Sequence, residues 1–128
     1  MNEKTPKDAK LAESLHLLAS SLKALKGKSD DVILFAATSK AFEISFEYAW
    51  KYLKRAADQA GLEVYSPRDA IKAAAQLGLI SDIQLWDSFL NARNLSVHDY
   101  VGMKNTDFLP LIIQFEKAVR KLVSVHGV

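Results

Sequence analysis

The sequence predicts an all-α protein, an antiparallel up-and-down bundle of four main helices and one short helix. Apolar residues recur at spacings of three and four along most of the chain, which is the periodicity of one helical face. No segment alternates apolar and polar residues for long, and the one extended stretch, residues 62–65, is too short to begin a sheet. Short connections separate the helical stretches, as is typical of antiparallel neighbours.

The composition indicates a single globular domain. We expect it to cover residues 8–128, after a flexible segment over residues 1–7, because a chain of 128 residues with 49% apolar content can bury a core. Charge is nearly balanced, with 17 lysines and arginines against 15 acidic residues. This balance argues against a main role in unspecific duplex binding, although a local basic face could still contact a phosphate.

Residue types exclude several kinds of site. The chain has no cysteine, and therefore no disulfide, thiolate nucleophile or cysteine zinc site. His16, His98 and His126 are far apart in the sequence and there is no glycine-rich phosphate loop, so we expect no metal and no cofactor. No apolar run approaches the roughly 20 residues that cross a bilayer, and the polar N-terminus does not resemble a secretory signal. We expect a cytoplasmic protein without membrane contact.

Leucines predict the first helix, and serine with aspartates predicts the start of the second. The leucines recur in steps of four and three that call for a long partner helix, at Leu11, Leu15, Leu18, Leu22 and Leu25. Gly27 ends this helix. Ser29 then caps the second helix, with Asp30 and Asp31 at its positive end, and Gly61 stops it.

The second helix carries two apolar faces. The main face consists of Phe35, Phe42, Phe46, Ala49, Leu53 and Ala56, and a second face consists of Ile44, Tyr48 and Tyr52. Two apolar faces usually have two neighbours, which lie either within the subunit or in a second copy of the chain. Glu43 and Glu47 stand beside these faces, either as partners for an arginine or as solvated acids.

A capping signature predicts the short third helix. Ser66 is the cap, Pro67 stands where its missing donor does no harm, and Asp69 follows three residues after the cap. Gly78 ends the helix, whose inner face consists of Ala70, Ile71, Ala74 and Leu77.

Capping signals also predict the last two helices. Ser81 with Gln84 starts the fourth helix, and a cap within residues 105–107 starts the fifth, with Pro110 in its first turn. The fifth helix carries a regular apolar stripe, made of Phe108, Ile112, Phe115, Val119 and Leu122.

Polar groups capable of chemistry concentrate at the end of the fourth helix. Its apolar stripe consists of Ile83, Trp86, Leu90 and Val97. Arg93 occupies the position of this stripe between Leu90 and Val97. A guanidinium in line with a core stripe needs a partner or a function, because an unpaired buried charge costs several kcal/mol. In a continuous helix Arg93 and His98 diverge by roughly 140 degrees. Either the helix loosens before Gly102, or the two groups meet around a substrate shared with a second copy.

At these residues the chain resembles the nucleotidyltransferase substrate-binding protein family, small HEPN-fold proteins that act beside a separate minimal nucleotidyltransferase. The resemblance is carried by residues 66–80, by Trp86 and by the pattern Arg-Asn-x-x-x-His-x-Tyr at residues 93–100. The run Phe-Glu-x-x-Phe-Glu-x-Ala-Trp-Lys at residues 42–51 also fits the long second helix of that family. One departure is Val97, where the family pattern has a small polar residue before the histidine.

The resemblance implies a homodimer in which two copies of the motif line a common cleft. Arg93 and His98 are then the candidate catalytic residues, and Asn94 and Tyr100 are the candidate substrate-binding residues. In related toxin members such a cleft cuts RNA without a metal, and a nucleotidyltransferase encoded by an adjacent gene is the antitoxin. Tyr100 is then also a candidate site of adenylylation by that partner.

Two functions follow from the resemblance. The first is a substrate-binding subunit that pairs with the nucleotidyltransferase and holds a nucleotide or RNA. The alternative is a metal-independent ribonuclease toxin, with His98 as acid or base and Arg93 on the phosphate. Each residue also has a structural role open to it: His98 can bond a carbonyl at the helix end, Arg93 can pair with a glutamate of the second helix, and Tyr100 can pack at an edge.

Overall fold

Five α-helices make up the part of the chain that the computed structural model describes, residues 6–98 and 105–126. They are α1 Pro6–Leu25, α2 Val32–Gln59, α3 Pro67–Gln76, α4 Ile83–His98 and α5 Asn105–His126. Within those two ranges there is no strand. The prediction of an all-α bundle of four main helices and a short one is confirmed. None of the described helices combines the length and the hydropathy that crossing a membrane requires.

The 28-residue helix α2 packs against each of the other four helices. Its predicted main face is buried except at Ala56, where the neighbouring Ala57 is buried instead, and the rings of Phe42 and Phe46 are fully enclosed. Phe115 of α5 stands edge-on to Phe42 at 5.0 Å between ring centroids and to Phe89 of α4 at 5.3 Å. These edge-to-face contacts, together with the buried stripe of α5, join α2, α4 and α5 around one aromatic core.

The leucine stripe of α1 has the partner that its spacing predicted. Four of its five leucines are buried, Leu22 is partly buried, and α1 packs along α2. The hydroxyl of Ser45 in α2 donates to the backbone carbonyl of Ser14 in α1 at 3.0 Å, and both residues are buried. This bond satisfies polar groups inside the α1–α2 interface.

The predicted stop signals are correct, but two of the predicted caps are displaced. Gly27, Gly61 and Gly78 follow their helices with φ between 75° and 81°, a region that glycine enters without strain. Ser66 caps α3 as predicted, accepting a hydrogen bond from the Asp69 amide at 3.1 Å.

The displaced caps are aspartates. Asp31 rather than Ser29 caps α2, accepting from the amides of two residues in its first turn at 3.0 Å each. Asp82 rather than Ser81 accepts from the Leu85 amide at the start of α4, also at 3.0 Å. A carboxylate at this position also interacts favourably with the helix dipole, which explains the preference. Pro110 is the sixth residue of α5 and therefore lies in its second turn, not its first.

The predicted buried faces of α3 and α4 each include residues that the structure leaves exposed. Leu77 is exposed, and Ala73 is buried on α3 instead. On α4 the end positions Ile83 and Val97 are exposed, at 37% and 54%, whereas Phe89 and Ser96 are buried. The middle of the predicted stripe, Trp86 and Leu90, is buried as expected, but at the C-terminal end the buried residue is Ser96 and not its neighbour Val97.

Candidate functional site

A groove of about 340 Å³ lies between α2 and the last turns of α4. Its lining combines charged and apolar side chains, namely Lys40, Glu43, Ile44, Glu47 and Tyr48 of α2 with Arg93 and Val97 of α4. Glu43 contacts Ser96 and Glu47 contacts Arg93, so residue numbers rise along α2 as they fall along α4. The two helices are therefore antiparallel here, as predicted for the bundle.

Arg93 is held on three sides. Its Nε donates to Asn94 Oδ1 at 3.0 Å, and its Nη1 donates to Glu47 Oε2 at 3.4 Å. Its guanidinium carbon lies 5.3 Å from the centre of the Phe46 ring, within the range of a cation–π contact. The Arg93 side chain is 21% exposed, so it is partly withdrawn from water with partners in place. Of the two glutamates considered from the sequence, Glu47 is its partner.

Glu47 is itself fixed by further groups of α2. Trp50 Nε1 donates to Glu47 Oε2 at 3.2 Å, and Lys51 Nζ lies 3.2 Å from Oε1. The Glu47 side chain is 41% exposed, so each ion pair contributes little to stability, on the order of 0–1 kcal/mol. These contacts mainly determine which way the carboxylate points.

The second glutamate, Glu43, joins a chain of hydroxyl groups that sequence reasoning missed. Ser96 Oγ donates to Glu43 Oε2 at 2.5 Å, and its oxygen lies 3.1 Å from Ser39 Oγ. Ser96 and Ser39 are 4% and 1% exposed. The available signal was the spacing, because Ser96 follows Arg93 by three residues and therefore shares its helical face.

Comparison with known proteins assigns the chain to a family. A model of the family described as "Nucleotidyltransferase substrate binding protein like" matches residues 8–125, almost the whole chain. The chain belongs to this family. The resemblance predicted from residues 66–100 is confirmed.

Two relatives accompany the family match. Over 72 residues the chain is 29% identical to a protein named "Probable ribonuclease HepT" from Haemophilus influenzae strain Rd. That alignment covers 52% of this chain and 49% of the relative, so the chain matches about half the length of that protein. A chain from a crystal structure of a toxin–antitoxin MntA-HpeT mutant superposes with a TM-score of 0.72. It is 16% identical, and the superposition covers 91% of this chain and 97% of that one.

The structure describes part of the Arg-Asn-x-x-x-His-x-Tyr motif of this family member. Arg93 lines the α2–α4 groove, and the neighbouring Asn94 accepts a hydrogen bond from Arg93 Nε but is not part of the lining. His98 is the last residue of α4, its side chain is not among the described ones, and Tyr100 and Gly102 lie outside the described residues. The roles of His98, Asn94 and Tyr100 stay predictions. Among the side chains described, no group of three histidine or acidic residues could hold a metal ion.

Proposed function

We propose that the chain is a substrate-binding subunit that pairs with a separate minimal nucleotidyltransferase and holds a phosphate of a nucleotide or RNA at Arg93. The family membership supports the pairing, and the toxin–antitoxin fold relative is consistent with a two-protein system. We place this role in the cytoplasm, with the partner encoded by an adjacent gene.

The observation that carries the proposal is the arrangement of the Arg93 donors. A guanidinium has five N–H donors, and among the described residues hydrogen bonds are found for Nε and for one position on Nη1. Within residues 6–98 and 105–126 no hydrogen bond uses Nη2, and we propose that its two donors face a ligand in the groove that Arg93 lines. A forked, permanently charged donor pair is well suited to the oxygens of a phosphate.

A homodimer completes the proposed site. Val97 is 54% exposed on α4, and Ile44 and Tyr48 add apolar surface to the groove beside it. We propose that a second copy covers this surface and brings its own Arg93, His98 and Tyr100 to a shared cleft, with Asn94 and Tyr100 contacting substrate. Tyr100 is also the proposed site of adenylylation by the partner.

The second candidate is a metal-independent ribonuclease, favoured by the name of the Haemophilus relative. In this version His98 removes the proton of a ribose 2′-hydroxyl, whose oxygen attacks the adjacent phosphorus while the bond to the 5′ oxygen breaks. Arg93 stabilises the charge that develops on the phosphate, and the leaving oxygen takes up a proton.

Co-purification and a growth assay test the two versions. The tagged chain is co-expressed with the neighbouring nucleotidyltransferase, and the complex is expected to survive gel filtration. Expression of the chain alone, beside His98→Ala, then tests catalysis: the ribonuclease version predicts growth arrest that the substitution abolishes. Arrest that persists in His98→Ala contradicts the ribonuclease, and failure of the two proteins to associate contradicts the pairing.

A further inference from the structure

We propose that Glu43 and Glu47 are positioning residues that hold the Arg93 turn of α4 in its ligand-binding arrangement. We call Glu43, Glu47, Arg93 and Ser96 together the α2–α4 clamp. The functional consequence of the α2–α4 clamp rests on the proposed binding of phosphate at Arg93. Its geometry stands on the contacts alone.

The α2–α4 clamp joins two helices at two points. Glu43 and Glu47 are four residues apart on α2, whereas Arg93 and Ser96 are three apart on α4, so each pair is spaced by about one helical turn. Because the helices are antiparallel, Glu47 meets Arg93 and Glu43 meets Ser96 at the same time. Two contacts one turn apart fix both the rotation of α4 about its axis and its shift along α2. One contact would leave the orientation of this last turn to apolar packing alone.

The Ser96 end of the clamp is the more deeply buried end. The Ser96 hydroxyl has one hydrogen to donate, and the bond to Glu43 uses it at 2.5 Å. The Ser39 hydroxyl, 3.1 Å away, can then donate to the Ser96 oxygen, so both buried hydroxyls are satisfied. Hydrogen bonds to a carboxylate are stronger than neutral ones. This end lies two residues before the end of α4 at His98, and it therefore fixes the backbone of that turn.

The Glu47 end orients Arg93 without occupying it. Its carboxylate takes a single contact from Nη1 at 3.4 Å, not the forked contact that an arginine can make with a carboxylate. Trp50 and Lys51 keep Glu47 in place from its own helix. In the part of the chain that the structure describes, the Nη2 edge of Arg93 has no hydrogen-bond partner, and it is the edge that we assign to a ligand.

Glu43 and Glu47 carry the wrong charge for contacting a phosphate, which is why we assign them a positioning role. Lys40 and Arg93 contribute two positive charges to the lining, and Glu43 and Glu47 contribute two negative ones. Two carboxylates beside a phosphate oppose its binding by like-charge repulsion. A site that binds phosphate despite these carboxylates depends on hydrogen-bond donors that point at the phosphate. The two glutamates hold the donors of Arg93 in that orientation.

A pair of serine substitutions tests the Ser96 end. Ser96→Ala removes the donor to Glu43 and leaves Ser39 without that partner, whereas Ser45→Ala removes an equally buried hydroxyl whose partner is the Ser14 carbonyl of α1. Both variants are expected to lower the thermal midpoint by a few degrees, about 3–6 °C. Only Ser96→Ala is expected to shift the side-chain Nε–Hε resonance of Arg93 in heteronuclear NMR spectra. It is also expected to weaken binding of a labelled single-stranded RNA of about twelve nucleotides, by about tenfold.

The Glu47 end is tested by comparing a conservative with a truncating substitution. Glu47→Gln keeps an acceptor oxygen for Arg93 without the negative charge, whereas Glu47→Ala removes the acceptor. Positioning predicts that Glu47→Gln leaves the Arg93 Nε–Hε resonance in place and binds the RNA at least as tightly as the unsubstituted chain. Glu47→Ala is expected to shift or broaden that resonance and to weaken RNA binding.

The outcomes separate the α2–α4 clamp from the proposed function. If Ser96→Ala leaves the Arg93 resonance as Ser45→Ala does, or if Glu47→Gln perturbs it as much as Glu47→Ala, the clamp is wrong. If the unsubstituted chain binds no RNA while the Arg93 resonance responds as expected, the clamp stands and the RNA version of the proposed function fails.

Discussion

Replacing Arg93 with alanine separates the structural from the functional role of this side chain. The substitution removes the bond from Nε to Asn94, the ion pair with Glu47 and the contact with the Phe46 ring. Each of these contributes about 0.5–1 kcal/mol, because Glu47 is 41% exposed and the bonds compete with water. Glu47 keeps its contacts with Lys51 and Trp50, so no buried charge is left without a partner.

We therefore expect Arg93→Ala to lose about 2 kcal/mol of unfolding free energy, against the 5–15 kcal/mol typical of a domain. A chain of 128 residues should then show a thermal midpoint lowered by about 5–8 °C and remain folded at room temperature. Differential scanning calorimetry measures both quantities directly.

The functional effect of the same substitution appears in the salt dependence of RNA binding. Removing one phosphate contact from a single-strand complex lowers the slope of log affinity against log salt by about 0.7. Fluorescence anisotropy of a labelled oligoribonucleotide at several salt concentrations measures this slope. Arg120→Ala is the matched control, because Arg120 is 61% exposed on α5 and pairs with Glu116 at 3.2 Å, away from the groove lining.

The reasoning is refuted if Arg93→Ala and Arg120→Ala bind the RNA with the same affinity and the same salt slope. A loss of far more than about 2 kcal/mol in Arg93→Ala would separately contradict the view that each of its three contacts contributes no more than about 1 kcal/mol.

Three further predictions concern the scaffold. Phe115→Ala should lose about 3–5 kcal/mol in denaturant unfolding, because its ring is fully buried among other aromatic rings; a loss below about 1 kcal/mol would contradict the aromatic core. Ser66→Ala should lose about 1 kcal/mol by the same assay, since its hydroxyl caps α3 at the Asp69 amide, and Ser66→Asp should restore it. The pKa of the exposed Tyr65 is raised above its ordinary value of 10.0. The largest cause is the hydrogen bond to Glu63, and desolvation and the negative charge of Asp69 act in the same direction. An absorbance titration should show that Glu63→Gln lowers the pKa of Tyr65. Any stability that this bond contributes should be present below the pKa of Tyr65 in the unfolded chain and be lost as the pH rises through its higher pKa in the folded protein.

Local signals were sufficient to predict the order of the helices and the points at which the first three stop. Gly27, Gly61 and Gly78 end helices because a residue without a side chain adopts the positive φ of a helix end without strain. The leucines of α1 and the stripe of α5 were correct because a helix that touches the core along its whole length buries one regular face.

The cap residues and the buried residue at the end of α4 could not be predicted from spacing, because neighbouring residues compete for the same position. Asp31 and Asp82 are better caps than the serines two and one residues before them, but both residue types are common caps and the sequence ranks them poorly. Val97 fits the apolar rhythm of α4, yet its rotation away from the core is decided by packing between helices that are distant in sequence.

The partners within the groove could be narrowed from the sequence but not assigned. Arg93 was expected to need a partner, and Glu43 and Glu47 were both within reach of a neighbouring helix. Only the register between α2 and α4 decides that Glu47 takes Arg93 and that Glu43 takes Ser96. A shift of one helical turn would have placed Glu43 opposite Arg93 and moved Glu47 past it, and periodicity within each helix does not determine that shift.

The location of a bound phosphate tests the central claim most directly. A crystal structure of the protein with a short oligoribonucleotide, protected from cleavage by 2′-O-methyl groups, would give the distance from Arg93 Nη2 to the nearest phosphate oxygen. We expect a distance of about 2.7–3.1 Å, with Glu47 still on Nη1. A phosphate bound elsewhere, with no contact to Arg93 in any copy of the chain, would contradict the account.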